Sequence, residues 1–196
     1  MKWFFLILAS VIINGCAPSM DYYSLPTFNK NHLQAVIEIP AGTNLKIEYN
    51  RTTKKFAPDQ INGEDRKISF LSYPGNYGFI PSTYSNPELG GDGDALDILV
   101  LGESVTTGTI LEVIPIGMLK LIDEDESDYK IIAIPAETSQ RTIDVLSYKQ
   151  FSEKYKAAQE ILEKWFTNYD PQDKIVIEGW GNEKEALNEI NKWANK

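Results

Sequence analysis

Apolar and polar residues alternate with a period of two along several stretches of the first 135 residues, and this spacing predicts β-strands. In residues 45–50, for example, Leu45, Ile47 and Tyr49 share one face, and the positions between them are polar. The predicted strands cover residues 33–39, 45–50, 67–72, 96–101, 110–122 and 129–134. Most of the chain before residue 135 is therefore expected to form a sheet or a barrel.

Apolar residues take up helical spacing only near the carboxyl end. One stripe contains Phe151, Tyr155, Ala158, Leu162, Trp165 and Tyr169, and a second contains Leu187, Ile190 and Trp193. Ser147 with Gln150, and Asn182 with Glu185, have the spacing of helix N-caps. Because strands come first and helices last, the order predicts a mainly β or α+β fold, with an antiparallel sheet or small barrel and helices packed outside it.

The first 31 residues have a different pattern. Lys2 precedes an apolar stretch over residues 3–13, which as a helix would span about 16 Å of the roughly 30 Å hydrocarbon core of a bilayer. A basic start, a short apolar region and small residues before Cys16 are typical of a secretory signal, and this box resembles that of bacterial lipoproteins. We therefore expect a lipoprotein-type signal peptide over residues 1–15 and an acylated Cys16. A tether over residues 16–31 and a folded domain over residues 32–196 would follow, in a protein that is exported and lipid-anchored to a bacterial membrane. The alternative for Cys16 is a plain thiol.

Composition excludes several classes of function. The net charge of −9 disfavours a general attraction to nucleic acid. Cys16 is the only cysteine and His32 is the only histidine, so an internal disulfide, a Cys/His zinc site and a His-based nucleophilic triad are excluded. Any chemistry must rest on carboxylates, Lys, Arg and Tyr.

The most informative segment is residues 91–99, where Asp92, Asp94 and Asp97 fall within six positions. Two unit charges about 4 Å apart repel by roughly 4 kcal/mol at an effective dielectric constant near 20, and a bound cation would remove this cost. Ligation by oxygen alone favours Mg²⁺ or Mn²⁺, and Mg²⁺ is commonly held by carboxylates together with phosphate oxygens. A solvated acidic turn and a calcium loop are the alternatives for this segment alone.

Six segments in order along the chain resemble the soluble family I inorganic pyrophosphatases. They are residues 36–40, 46–49, 73–78, the loop around Asp92, residues 123–130 and residues 176–180. The resemblance implies a five-stranded, OB-like closed barrel with flanking C-terminal helices. It also implies a catalytic domain over residues 32–196 that hydrolyses pyrophosphate to two phosphates by means of a metal-activated water, with Mg²⁺, or Mn²⁺ in its place, as the cofactor.

The resemblance also implies roles for individual residues. Asp94 would be the base that takes a proton from the attacking water. The metal-binding set would be Asp92, Asp97, Asp123 and Asp128, with Glu38 and Glu48 in the same acidic cavity. The contacts to phosphate oxygens would come from Lys46, Arg66, Tyr77, Lys130 and Tyr169.

Two positions depart from the pattern of this family. Ala95 stands where proline is usual, and Asp170 stands where bacterial members commonly place a phosphate-binding lysine. A non-catalytic lipoprotein that binds metal or phosphate on the same scaffold is the alternative function, and a homo-oligomer is left open. An OB-like oligonucleotide binder is disfavoured by the negative charge.

Overall fold

The computed structural model describes residues 20–123, 126–171 and 174–194. The predicted signal peptide and Cys16 lie outside the described residues. The strands are β1 (Phe28–Asn29), β2 (His32–Ile39), β3 (Ile47–Asn50), β4 (Lys55–Pro58), β5 (Gln60–Ile61), β6 (Glu64–Asp65), β7 (Asn76–Phe79), β8 (Asp97–Val100), β9 (Ile110–Asp123), β10 (Glu126–Ser127), β11 (Lys130–Pro135) and β12 (Val176–Asn182). The α-helices are α1 (Tyr148–Lys154), α2 (Lys156–Phe166) and α3 (Glu183–Trp193).

Five strands form a closed ring of hydrogen-bonded neighbours. Strand β2 pairs with β7 on one side and with β9 on the other. The ring continues from β7 to β8, from β8 to β11 and from β11 back to β9. Only the β8–β11 pair of the ring is parallel. The predicted class, a mainly β five-stranded barrel with helices towards the carboxyl end, is confirmed.

The central strands of the barrel are buried on both faces because each face packs in a cluster that includes helix residues. Successive side chains of a strand point to opposite faces, and β11 shows the consequence. Ile131 and Ala133 belong to a buried cluster that includes residues of α3, whereas Ile132 and Ile134 belong to a second cluster with residues of α1 and α2. The predicted caps are also present, because Ser147 caps α1 and Asn182 forms a capping box with Glu185 at the start of α3.

Two predicted elements are wrong in detail. Residues 67–72 form no strand, and Lys67 makes only an isolated bridge to Leu45. The stretch is largely exposed, with Leu71 61% accessible, so alternation did not reflect burial there. The first helical stripe is divided into α1 and α2 at Tyr155, whose φ of −129° and ψ of 38° are not helical.

The predicted tether is corrected in its described part. Residues 22–24 form a 3₁₀ turn and β1 pairs with β2. Tyr22, Tyr23 and Leu25 pack against a buried cluster of the domain. The lack of periodicity in this segment predicts a linker, but its aromatic side chains pack on the domain. In residues 20–123, 126–171 and 174–194, no helix is both long enough and apolar enough to cross a membrane.

Candidate active site

The acidic loop turns sharply before it enters β8. The carboxylate of Asp92 accepts a hydrogen bond from the amide of Asp94 at 3.0 Å, which is the local turn that aspartate favours. Gly93, between them, has a φ of +86°, a conformation that other L-residues rarely adopt. The loop ends where the amide of Leu96 donates to the Thr83 hydroxyl at 2.9 Å. The three aspartates are therefore held on one short segment at the rim of the barrel.

The parallel pairing of β8 and β11 brings a lysine to this rim. Ile98 of β8 lies opposite Ile131 of β11, so Asp97 and Lys130, which begin these two parallel strands, lie side by side at the same end. Tyr77 is on β7, the antiparallel neighbour of β8. Positions far apart in sequence thus converge because of the strand order.

Lys130 is almost fully buried and makes two ion pairs. Its ammonium group lies 2.5 Å from Asp97 Oδ2 and also contacts a carboxylate oxygen of Asp128. The hydroxyl of Tyr77 donates to the same Asp97 oxygen at 2.5 Å. Burial alone lowers the pKa of Lys130, but the carboxylates of Asp128 and Asp97 outweigh it and raise the pKa above its usual value. Lys130 is therefore charged.

These groups line a pocket of about 320 Å³. The predicted site residues that line it are Lys46, Tyr77, Asp92, Asp94, Asp97, Asp123, Asp128, Lys130 and Tyr169. With Glu126, the described lining has six carboxylates and two lysines, so negative charge is in excess. Burial raises the pKa of Asp92 to about 6, and the charges of Asp97 and Asp128 contribute.

The chemistry of this lining fits a divalent cation. Its donors are carboxylate oxygens, which are the ligands that Mg²⁺ and Mn²⁺ prefer, and the six carboxylates of the described lining outnumber its two lysines. Among the described residues no group of three carboxylate, histidine or cysteine side chains is drawn together closely enough to hold a metal ion. The ammonium group of Lys130 lies between Asp97 and Asp128 and offsets part of their negative charge.

A second pocket of about 800 Å³ adjoins the first, and Lys46, Tyr77 and the three loop aspartates line both. Glu38 and Glu48, the remaining members of the predicted metal set, line this second pocket. Glu38 is buried and accepts a hydrogen bond from the amide of Tyr49 at 2.7 Å. Burial raises the pKa of Glu38 to about 8, although that hydrogen bond lowers it. Glu38 is therefore largely protonated at neutral pH.

Arg66 is placed differently from the other predicted phosphate contacts. Its guanidinium pairs with Asp170 at 2.6 Å and with Asp59 at 3.4 Å. Asp170 is the position that departs from the pattern of the family, and here it engages a residue predicted to bind substrate. Arg66 is absent from the described linings of both pockets.

Several lining residues were not predicted as site residues. In the first pocket they are Tyr73, Glu126, Trp165 and Phe166, and in the second they include Tyr23, Arg51 and Asp59. Tyr73 and Glu126 fall inside segments that carry the resemblance, which was the available signal. Trp165 was predicted only as a helix core position, and its indole donates to the carbonyl of Leu71 at 2.9 Å. Tyr23 had no signal, because it lies in the predicted tether.

A pocket that combines carboxylates for cations with lysine and tyrosine donors for phosphate oxygens defines a phosphate-handling, metal-dependent class of enzyme. A sequence model of the inorganic pyrophosphatase family matches residues 35–196. The chain therefore belongs to the inorganic pyrophosphatase family.

Individual relatives agree with this assignment. The chain is 35% identical over 167 residues to the inorganic pyrophosphatase of Saccharolobus solfataricus. This alignment covers 83% of this chain and 90% of the relative. It is 34% identical over 181 residues to the inorganic pyrophosphatase of Aquifex pyrophilus, covering 88% and 94% of the two chains. The crystal structure of the Thermus thermophilus inorganic pyrophosphatase is similar with a TM-score of 0.72 at 30% identity, over 88% of this chain and 95% of that one.

Proposed function

We propose that this chain, an inorganic diphosphatase by its family, hydrolyses pyrophosphate to two phosphates with Mg²⁺ as its metal and Asp94 as the base. The observation that supports the proposal is one pocket in which Asp94 lies among carboxylates suited to a cation and lysine and tyrosine donors suited to phosphate oxygens. The family is metal-dependent, and the choice of Mg²⁺, with Mn²⁺ as a substitute, is supported by the oxygen-only donors of the pocket.

The metal would be held by Asp92, Asp97, Asp128 and Asp123, where it would neutralise carboxylate and phosphate charge and lower the pKa of a water. Lys46, Lys130, Tyr77 and Tyr169 would supply donors for phosphate oxygens, and of these Lys130 and Tyr77 donate to Asp97 in this structure. Positioning and charge stabilisation of this kind account for most of the catalysis of phosphoryl transfer.

Asp94 is suited to the role of base because its carboxylate is accessible and is not paired with Lys130. Its side chain is 77% exposed, compared with 26% for Asp97 and 15% for Asp128, which are paired with Lys130. In the reaction the water oxygen bonds to one phosphorus, the bridging P–O bond breaks, one phosphate leaves, and a proton of the water passes to Asp94. Desolvation by the neighbouring pocket residues raises the pKa of Asp94 and outweighs the opposing charge of Arg51, which strengthens the carboxylate as a proton acceptor.

Replacement of Asp94 by Asn tests this assignment. We expect Asp94→Asn to lose most of its turnover, since general bases contribute about 10²–10⁴-fold. A cation that binds only the folded state stabilises it, so we also expect Mg²⁺ to raise the melting temperature of this variant as it does that of the unchanged chain. Asp144→Asn is the control, because the Asp144 side chain is 90% exposed and pairs only with Arg141 among described residues. Near-normal turnover by Asp94→Asn would remove Asp94 from the role of base.

Export and lipid anchoring through Cys16 are a further part of the proposal. Their support is the basic and apolar pattern of residues 1–15 and the place of the sole cysteine directly after it. One acyl chain binds a membrane only marginally, so stable retention implies more than one. Cys16→Ser should release the protein to the soluble fraction or block its processing, whereas Ser19→Ala should change neither. Unchanged retention and processing of Cys16→Ser would refute anchoring. A homo-oligomer stays a prediction.

A further inference from the structure

The N-terminal arm, defined here as residues 20–29, precedes the family match that begins at residue 35, yet it is built onto the domain beside the second pocket. The ring of Tyr23 stacks on Phe79 with 4.3 Å between centroids. The amide of Ser82 donates to the carbonyl of Tyr23 at 2.9 Å, and the hydroxyl of Ser82 donates to the carbonyl of Leu25 at 2.8 Å. The position of the Tyr23 ring is therefore fixed from two directions.

The exposed edge of this arm carries a cation–π contact. The guanidinium carbon of Arg51 lies 3.7 Å from the centroid of the Tyr23 ring. Arg51 follows the end of β3 and its side chain is 48% exposed. A long side chain at such a position loses conformational entropy when it is held in one orientation, and the flat face of Tyr23 favours one orientation.

The same guanidinium faces the proposed base. Arg51 Nη2 lies 3.9 Å from Asp94 Oδ1. Within the described part of the chain, Arg51 is the only side chain at ion-pair distance from Asp94. The Asp94 carboxylate is mostly exposed, so burial does not fix its orientation.

We propose that the N-terminal arm is part of the active site, with Tyr23 orienting Arg51 and Arg51 holding the carboxylate of Asp94 towards the attacking water. Both are positioning residues, because they act through Asp94, and the inference rests on the proposed role of Asp94 as base. The arm thereby contributes to turnover from outside the segment that the family model matches.

A positioning role has a kinetic signature that differs from substrate binding. Losing the orientation of a base lowers kcat and leaves KM nearly unchanged, whereas losing a phosphate contact raises KM. Loss of one cation–π contact at a half-exposed site corresponds to about a two- to fivefold change. Arg51→Ala removes the oriented partner completely and should lower kcat by about tenfold, since a small misplacement of a reacting group costs up to about a hundredfold.

The test is a double-mutant cycle on the full chain with saturating Mg²⁺, with kcat, KM and melting temperature measured for each variant. Tyr23→Leu should lower kcat about two- to fivefold, and Tyr23→Phe, which keeps the ring, should restore it. In the Arg51→Ala background, Tyr23→Leu should have no further effect on kcat. Tyr22→Leu is the matched control, because Tyr22 packs in the same arm on Tyr49 and Phe56 without contacting Arg51.

Three results would overturn the inference. The first is that Tyr23→Leu and Arg51→Ala lower kcat independently, so that their effects multiply in the double variant. The second is that Arg51→Ala raises KM at constant kcat. The third is that Tyr22→Leu and Tyr23→Leu lose kcat equally. Each of them is measured with Asp94 intact. The proposed base is tested separately by Asp94→Asn, so failure of the arm and failure of the base are distinguishable.

Discussion

Asp170 restrains Arg66, and replacing it should make the enzyme more efficient. Arg66 Nη2 lies 2.6 Å from Asp170 Oδ2, and each side chain is 19% exposed. A hydrogen bond to a charged group contributes about 1.5–3 kcal/mol. Arg66 must give up this bond to reach a phosphate oxygen, and since about 1.4 kcal/mol is a factor of ten, Asp170→Asn should raise kcat/KM towards pyrophosphate about tenfold.

Asp170→Lys should raise kcat/KM at least as much, because it also places a cation beside Tyr169, which lines the first pocket. The assay is the rate of phosphate release at saturating Mg²⁺ over a range of pyrophosphate concentrations. Most of the gain should be in KM, because a freed Arg66 binds phosphate in both the ground state and the transition state.

Two further variants test whether the gain in kcat/KM depends on the Arg66–Asp170 pair. Asp65→Asn is the matched control, because Asp65 is an exposed carboxylate on β6 and should leave kcat/KM unchanged. In an Arg66→Ala background, Asp170→Asn should give no gain. If Asp170→Asn and Asp170→Lys each change kcat/KM by less than about twofold, which is under roughly 0.5 kcal/mol, the Arg66–Asp170 pair does not restrain substrate binding.

Three predictions concern stability. Lys130→Met should lower the melting temperature of the chelated protein by about 10 °C, since breaking a buried ion pair costs about 3–5 kcal/mol and each kcal/mol shifts a domain of this size by about 2–4 °C. The loss should be smaller with Mg²⁺, and an equal loss in both conditions would contradict the charge balance described for Asp97 and Asp128. Glu38 should make the chelated protein less stable as pH rises, because its unfolded carboxyl loses its proton near pH 4.5 while the folded one keeps it until about pH 8. This difference of 3.5 pH units corresponds to at most about 5 kcal/mol, and denaturant titrations from pH 5 to 8 should show a shallower decline for Glu38→Gln. Asn182→Ala should cost about 1 kcal/mol of unfolding free energy through loss of the α3 cap, and an unchanged denaturation midpoint would refute that contribution.

The sequence predicted the strands and helices whose apolar positions follow a regular period because one face is buried. It missed the features that depend on tertiary contacts. Residues 33–39 and 110–122 agree with β2 and β9 to within one residue at each end. The strand predicted at 67–72 fails because only Ile68 of its apolar side chains is buried, whereas Phe70 and Leu71 are exposed. The break at Tyr155 could not be seen, because the apolar stripe continues unchanged across it.

In the candidate site, too, local features could be predicted from the sequence, whereas features set by tertiary contacts could not. The acidic loop was identifiable because three aspartates in six positions have a local electrostatic cost that needs an explanation. The neighbours of that loop, by contrast, are set by strand pairing, and only the parallel alignment of β8 with β11 places Lys130 against Asp97. The contacts of Arg51 with Tyr23 and Asp94 join three segments that are distant in sequence, so the spacing of residues along the chain does not predict them.

The most direct test of the account is the stoichiometry and metal dependence of phosphate release by the purified chain. With Mg²⁺ present, two phosphates should appear for each pyrophosphate consumed, and the rate should fall to background with a chelator and recover when Mg²⁺ is restored. Asp144→Asn should match the wild-type chain, and Asp94→Asn should not. Binding of pyrophosphate without release of phosphate would contradict the account and would instead support a non-catalytic phosphate-binding protein on this scaffold.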